Sequence, residues 1–329
     1  MNKNKNNIAN KRVMIIDSLN MFLRSYIVNP TMSKDGNPIG GTVGFLKSLQ
    51  KLSREIKPDA IIMCWDGRGG SRKRKQVNKN YKEGRSPIRL NRNIKVLTEQ
   101  QENENRIWQM HRTFEYLNNF PVIQLVADEV EADDLISYIT RYSCFKGDQK
   151  VIISSDKDFY QLLDDNTILH RPIQKKFLNK LNIIKEHGIH PTNFALARAI
   201  AGDKSDNLEG VPGVGLKTVA KRFTFFEEER DITMSELIEF CSNQESKIKA
   251  YQSIIENQGL IKENYSLMQL YSPNLSIQTK QSVDWTIGEF EYEFNKTETD
   301  LMMLEDGISE NYWSDLFQDF RRLCRDNKE

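Results

Sequence analysis

Ten acidic side chains in this 329-residue sequence stand where they could hold divalent cations: Asp17, Asp66, Glu129, Glu131, Asp133, Asp134, Asp156, Asp158, Asp203 and Asp206. The densest group, Glu131-Ala-Asp133-Asp134, reads as the opening of a helix. Residues three apart share a helix face, so Glu131 and Asp134 point the same way and Asp133 points to an adjacent face. Alone, the pattern is also met by an ordinary helix start, with Asp128 as N-cap, Glu131 as its capping-box partner and the acids complementing the helix dipole. Asp156-Lys-Asp158 and Gly-Asp203-Lys-Ser-Asp206-Asn read separately as polar turns. Together, these plain readings require several acidic loops to meet by accident. Crowded carboxylates repel and take up protons unless cations neutralise them. Oxygen-only sets suit Mg²⁺ or Mn²⁺ rather than Zn²⁺. Two such ions about 4 Å apart serve the attacking and leaving oxygens of a phosphodiester, which is nuclease chemistry. The four histidines (His111, His170, His187, His190) form no HExxH pattern, and Cys64, Cys144, Cys241 and Cys324 form no CxxC pair. Neither a zinc site nor a disulfide framework is expected, and a reducing cytoplasm fits.

Such acids need elements to position them. Val13 to Ile16, Ala60 to Trp65 and Val151 to Ser155 are short apolar runs that end in Asp17, Asp66 and Asp156, and Val122 to Val126 is a fourth run. Between them lie stretches of helical spacing, such as Val43, Leu46, Leu49, Leu52 and Ile107, Met110, Phe114, Leu117. Continuous apolar runs alternating with amphipathic helices predict buried parallel strands and an α/β domain over 12–185. In such a sheet the carboxyl ends of the strands face the ligand crevice, so the aspartates should gather along one edge. Residues 1–11 are rich in Asn and Lys and read as a disordered arm. Residues 186–275 read as helical. Residues 276–329 hold thirteen acids against six bases and read as a helical extension completing that second domain, with a last helix around 311–325. No run is long and apolar enough to span a membrane.

The net charge of +1 says nothing about nucleic acid, but its distribution does. Residues 68–95 contain eleven Lys or Arg against the single acid Glu83, within an excursion of about 68–105 that is too polar to form its own core. Arg72, Lys73 and Arg74 are expected to contact phosphates. Tyr81 beside Lys82 and Arg85 suits base stacking with phosphate grip, although a generic solvated basic loop has the same composition. In Gly210-Val-Pro-Gly213-Val-Gly215-Leu-Lys217, small residues would let backbone N–H groups approach a duplex phosphate, and Lys217 would reach the next one. The spacing is not that of a P-loop.

These motifs resemble the 5′-nuclease family: bacteriophage 5′→3′ exonucleases and phage-type RNase H, the 5′-nuclease domain of bacterial DNA polymerase I and, more remotely, flap endonucleases. The resemblance rests on Ile-Ile-Asp17, Trp-Asp66-Gly, Tyr-Lys82-Glu-Gly-Arg85-Ser-Pro, Glu131-Ala-Asp133-Asp134, Ser-Ser-Asp156-Lys-Asp158-Phe, and Gly-Asp203-Lys-Ser-Asp206-Asn ahead of Gly-Val-Pro-Gly-Val-Gly. They occur in family order over residues 13 to about 225, roughly two thirds of the chain. The resemblance implies a PIN-like α/β domain, a helical arch and a helix–three-turn–helix DNA-binding motif. It implies one metal site at Asp17, Asp66, Glu131 and Asp133, and a second at Asp134, Asp156, Asp158, Asp203 and Asp206, with no counterpart for Glu129. It further implies arch cations at Lys82 and Arg85, a stacking aromatic at Tyr81 and K⁺ at the glycine turn. The expected enzyme is a monomeric phage replication nuclease in a bacterial or phage-infected host cell. Its expected substrates are DNA with a 5′ flap, nick or 5′ end and RNA–DNA hybrids, with a single-strand-binding protein or clamp as partner class. The rival readings are a PIN-type ribonuclease, against which the glycine turn and basic arch speak, and a non-catalytic DNA-binding factor, against which the intact acids speak.

Overall fold

Val13, Met14, Ile15 and Ile16 point alternately to opposite sides of a strand, yet all four are fully buried. Such a strand must be covered on both faces. The computed structural model, which describes residues 11–84, 94, 97–244, 248–309 and 312–328, provides that cover. The six strands are β1 (Arg12–Asp17), β2 (Ala60–Trp65), β3 (Ile123–Val126), β4 (Gln149–Ile153), β5 (Thr167–Arg171) and β6 (Lys176–Leu178). They form one sheet in the order β3-β2-β1-β4-β5-β6, with β6 antiparallel to β5 and every other pairing parallel. The four apolar runs became β1 to β4. The strands β5 and β6 were not expected, because Thr-Ile-Leu-His-Arg has no continuous apolar run and Lys-Phe-Leu is only a short edge piece.

One face of the sheet, carrying Met14, Ile16, Ile61, Met63, Trp65 and Ile153, packs under α1 (Ser18–Val28) and α2 (Gly40–Ile56). A short basic helix, α3 (Arg72–Val77), buries none of its residues, and α4 (Glu99–Asn118) returns to the same face through Tyr116 and Leu117. The opposite face, with Val13, Ile15, Ile62 and Ile152, packs under α5 (Ala132–Arg141). That core continues without a break into α6 (Lys180–His187), α7 (Pro191–Ala201), α8 (Leu216–Arg222), α9 (Met234–Ser242), α10 (Lys249–Glu256) and α11 (Gln258–Met268).

The acidic extension departs from expectation. It forms α12 (Ile277–Gly288), α13 (Lys296–Asp306) and α14 (Ser314–Asp326), and these return to the sheet instead of completing a second domain. Val283 and Ile287 of α12 join the core that contains β3, while Met303, Leu316, Phe320 and Leu323 are fully buried against the other face. Each of these buried side chains contributes about 1.5–3 kcal/mol of apolar burial. Arg112 Nε and the Tyr116 hydroxyl both donate to Asp306, at 2.8 and 2.7 Å, and Arg322 donates to the Pro58 carbonyl at 2.8 Å. Many acids around a narrow apolar stripe leave the sequence silent on which core the extension joins.

Candidate metal centre and nucleic-acid interface

The chain winds from β1 toward β2 and β3 on one side and toward β4 and β5 on the other. The crevice at this reversal lies outside the carboxyl ends of β1 and β4, the usual ligand position in such sheets. Asp17 ends β1 and is 8% exposed; its Oδ2 accepts from the Ser154 hydroxyl at 2.8 Å, and its Oδ1 caps α1 through Asn20 N at 3.3 Å. Asp66 follows β2 and accepts from Ala132 N at 2.7 Å. It thereby serves the start of α5, whose N-cap is Glu131 with no side-chain cap bond of its own. The expected Asp128 cap is therefore wrong: the helix begins three residues later, and its orphan N–H is met from another strand. Asp156 follows β4 and accepts from Asp158 N at 2.8 Å.

Asp158, Asp203 and Asp206 meet across the sheet and the helical part, each offering an oxygen within 4.8 Å of the others. The Gly202 turn that brings Asp203 round has φ +75°, and a Cβ on Gly210 would lie 2.1 Å from the Ala201 carbonyl oxygen. Gly210 is thus a glycine for close backbone packing and not, as expected, for phosphate approach. Arg198 of α7 donates to Asp158 at 3.0 Å and also to Asp203. This arginine was missed in the sequence, although one cation inside Phe-Ala-Leu-Ala-Arg198-Ala-Ile-Ala is a signal, since a buried arginine demands an acid.

Burial, followed by the charges of Asp66 and Asp156, pushes Asp17 up to about 7. Burial, followed by Asp156, pushes Asp158 up to about 7 as well. Asp133 is raised well above the carboxylate range by burial, with Asp156 again the leading charge. Burial opposes ionisation of Asp203 too, but bonds from Ser205 and Arg198 hold it below its ordinary value. Asp156 is therefore the shared neighbour of Asp17, Asp133 and Asp158. A set built only of carboxylate oxygens, several of them raised by burial and then by each other's charge, fits hard divalent cations.

Glu131 and Asp134 do point the same way, but toward protein cations. Arg74 Nη1 lies 2.5 Å from Glu131 Oε2 and 3.1 Å from Asp134 Oδ2, and its Nε donates to the Leu267 carbonyl at 3.0 Å. Asp134 Oδ1 accepts from Asn274 N at 3.1 Å. Asp134 is thus not gathered with Asp158, Asp203 and Asp206, and Arg74 is not free for a phosphate, contrary to both expectations. Lys73 likewise turns to the Asn274 carbonyl at 3.2 Å. Arg72 pairs with Glu129 at 2.6 Å, both largely exposed, a weak link that leaves Arg72 available. Lys82 Nζ reaches Glu131 Oε1 at 3.0 Å. Tyr81 is 3% exposed and packs with Leu208, Leu267 and Met268, so, contrary to expectation, it offers no open face for a base. Arg85 lies outside the described residues. At the glycine turn, Gly213 (φ +75°) and Gly215, the N-cap of α8, have open space where a Cβ would stand, and Lys217, Lys221 and Arg222 are exposed.

All four cysteines are free, and no described helix is long and apolar enough to cross a membrane. Residues 12–190 match the family described as the 5′-3′ exonuclease, N-terminal resolvase-like domain. A 5′-3′ exonuclease of Aquifex aeolicus is 30% identical over 211 residues, covering 63% of this chain and 67% of that protein. The fold is similar to that of the T5 5′-exonuclease solved with bound zinc, with a TM-score of 0.69 at 20% identity over 85% of this chain and 99% of that one. It is also similar to that of the bacteriophage T5 flap endonuclease solved with DNA and metal ions, with a TM-score of 0.64 at 20% identity over 91% of this chain and 100% of that one.

Proposed function

This chain belongs to the 5′-3′ exonuclease family, and from that premise we propose that it is a structure-specific 5′-nuclease that hydrolyses phosphodiester bonds with two divalent cations, Mg²⁺ or in its place Mn²⁺. The observation that carries this reading is the convergence of acids from three parallel strands and the helical part on one crevice, with Asp156 beside both groups.

Asp17, Asp66, Glu131 and Asp133 would hold one cation, and Asp158, Asp203 and Asp206 the other, with Asp156 between them. Asp134 acts by anchoring Arg74. When bound, the cations supply water activation and charge neutralisation at the departing 3′ oxygen. The protein's own part is positioning. Ser154 and Asn20 fix the Asp17 carboxylate, Ala132 N fixes Asp66, and Arg198 and Ser205 fix Asp203. Lys82, on the arch side of the crevice, is the cation suited to the phosphate being cut. Gly213, Gly215 and Lys217 suit the backbone of the adjoining duplex, with K⁺ as the monovalent ion of that turn. The substrates that fit are DNA 5′ ends at flaps and nicks, and RNA primers paired to DNA.

The test is cleavage of a 5′-labelled flap duplex with Mg²⁺ or EDTA, beside a 3′-labelled copy and an RNA–DNA hybrid. Mg²⁺-dependent products released from the 5′ side are expected. Tight flap binding without cleavage of any substrate would favour a non-catalytic binding factor.

A further inference from the structure

We propose that Glu131 is a site of cation exchange: Arg74 is its permanent positioning residue, while Lys82 occupies the carboxylate oxygen that a divalent cation takes, so that metal binding releases Lys82. This inference rests on the two-cation reading above. Both Glu131 oxygens already face cations, Oε2 toward Arg74 at 2.5 Å and Oε1 toward Lys82 at 3.0 Å, and Glu131 is only 3% exposed. A divalent cation approaching this buried carboxylate meets the charges of both, and displacing the more weakly held one relieves that repulsion.

The two are not equally held. Arg74 spans three acceptors: Glu131 at the start of α5, Asp134 in its first turn, and the Leu267 carbonyl at the end of α11. Its rigid fork satisfies them together, and its departure would leave the buried Asp134 carboxylate without a countercharge. Lys82 has one carboxylate bond, a side chain 21% exposed, and a flexible stem ending in a point charge. Its backbone is tied independently, by its N–H to the Asp206 carbonyl at 2.9 Å, in a left-handed conformation at φ +57°. The ammonium can therefore swing away while the backbone stays in place. The same geometry accounts for Arg74 and Lys82 standing in one basic stretch with different tasks.

The experiment uses the full chain. Lysine acetylation is followed by mass spectrometry with and without saturating Mn²⁺, and Mn²⁺ affinity is measured by electron paramagnetic resonance. Acetylation of Lys82 is expected to speed up on Mn²⁺ addition, while that of the exposed Lys217 and Lys221 stays level. Lys82→Met should tighten Mn²⁺ binding and Arg74→Gln weaken it, each by about tenfold, the scale of a reciprocal coupling between two ligands. Lys79→Met, a control for general loss of positive charge in the same segment, should do neither. Unchanged or slower Lys82 acetylation with Mn²⁺ bound, or a Lys82→Met affinity equal to that of Lys79→Met, would overturn the exchange alone. Absence of any Mn²⁺ binding would remove the two-cation reading as well.

Discussion

Two sets of carboxylates face the same crevice, and the protein restrains them differently. Asp203 and Asp206 stand in the turn that follows α7, Asp158 comes from the loop after β4, and their oxygens converge while Arg198 holds Asp158 and Asp203 from the side. The set around Glu131 comes from three separate strand ends, and Glu131, with its neighbour Asp134, is matched by cations from the basic stretch. In the first arrangement local backbone geometry sets Asp203 and Asp206, and one arginine ties in Asp158. The second depends on Arg74 staying docked, with Lys82 as the further countercharge in the metal-free state. Acids that share a turn need a countercharge only for the partner that comes from elsewhere, whereas acids spread over strand ends need countercharges of their own.

The largest test of this division is Asp156, which neighbours both sets. Asp156→Asn should lower cleavage on the order of 10³-fold, as loss of a group acting in a catalytic unit does, with DNA binding nearly unchanged. Single-turnover cleavage measures the first and a binding titration the second. A variant with near-normal rates would mean that the two sets do not act as one centre.

Next come the two arginines. Removing one partner from a buried ion pair costs about 3–5 kcal/mol, so Arg74→Gln and Arg198→Gln should both lower metal-free stability by that order. Mg²⁺ should restore Arg198→Gln far more than Arg74→Gln, because oxygens of Asp158, Asp203 and Asp206 converge while Asp134 is turned to Asn274. Denaturant unfolding with and without Mg²⁺ checks this, and equal rescue would erase the contrast.

The pH dependence is smaller. Asp17 and Asp158 are raised from 3.8 to about 7, so between these values the folded protein holds protons that the unfolded chain has lost. Their contribution to metal-free stability therefore falls as pH rises from about 4 through about 7. The melting temperature should drop over that window, and Asp17→Asn should flatten the drop. Mg²⁺ should raise the melting temperature most at pH 8, where no proton competes. A metal-free melting temperature that climbs through this window in the parent protein and is unaltered by Asp17→Asn would contradict the crowding of these acids.

The smallest effect lies outside both sets. Lys217→Ala should reduce the salt slope of duplex binding by about one unit and leave saturated cleavage nearly unchanged. Salt titrations of binding provide the readout, and a large loss of cleavage at saturation would draw Lys217 into the centre.

Much of this was legible in the sequence where a local pattern and a tertiary position coincide. Uninterrupted apolar runs ending in Asp17, Asp66 and Asp156 announce buried parallel strands and the edge on which those acids stand. Legibility failed where direction was decided from far away. Nothing local says that Arg74 turns inward, because its acceptor at Leu267 lies 193 positions on. Tyr81 looked like a stacking residue because its neighbours are basic, but Leu208, Leu267 and Met268 bury it. Asp66 caps a helix whose own sequence offered Asp128. The extension misled for a related reason, since a thin apolar stripe among many charges is silent about which core it joins.

The bond from Arg322 to the Pro58 carbonyl spans 264 residues of chain, and it has a consequence for how the molecule is made. During synthesis β1, β2 and their helices emerge early, but the side of α2 on which α14 packs stays uncovered until Ser314–Asp326 leaves the ribosome. Contacts of such long sequence separation form late and slowly. The nascent nuclease therefore spends most of its elongation with an exposed apolar face, a form prone to aggregate or to engage chaperones. Truncation before α13 should leave that species as the end product, with its acids and strands present and that helical layer bare.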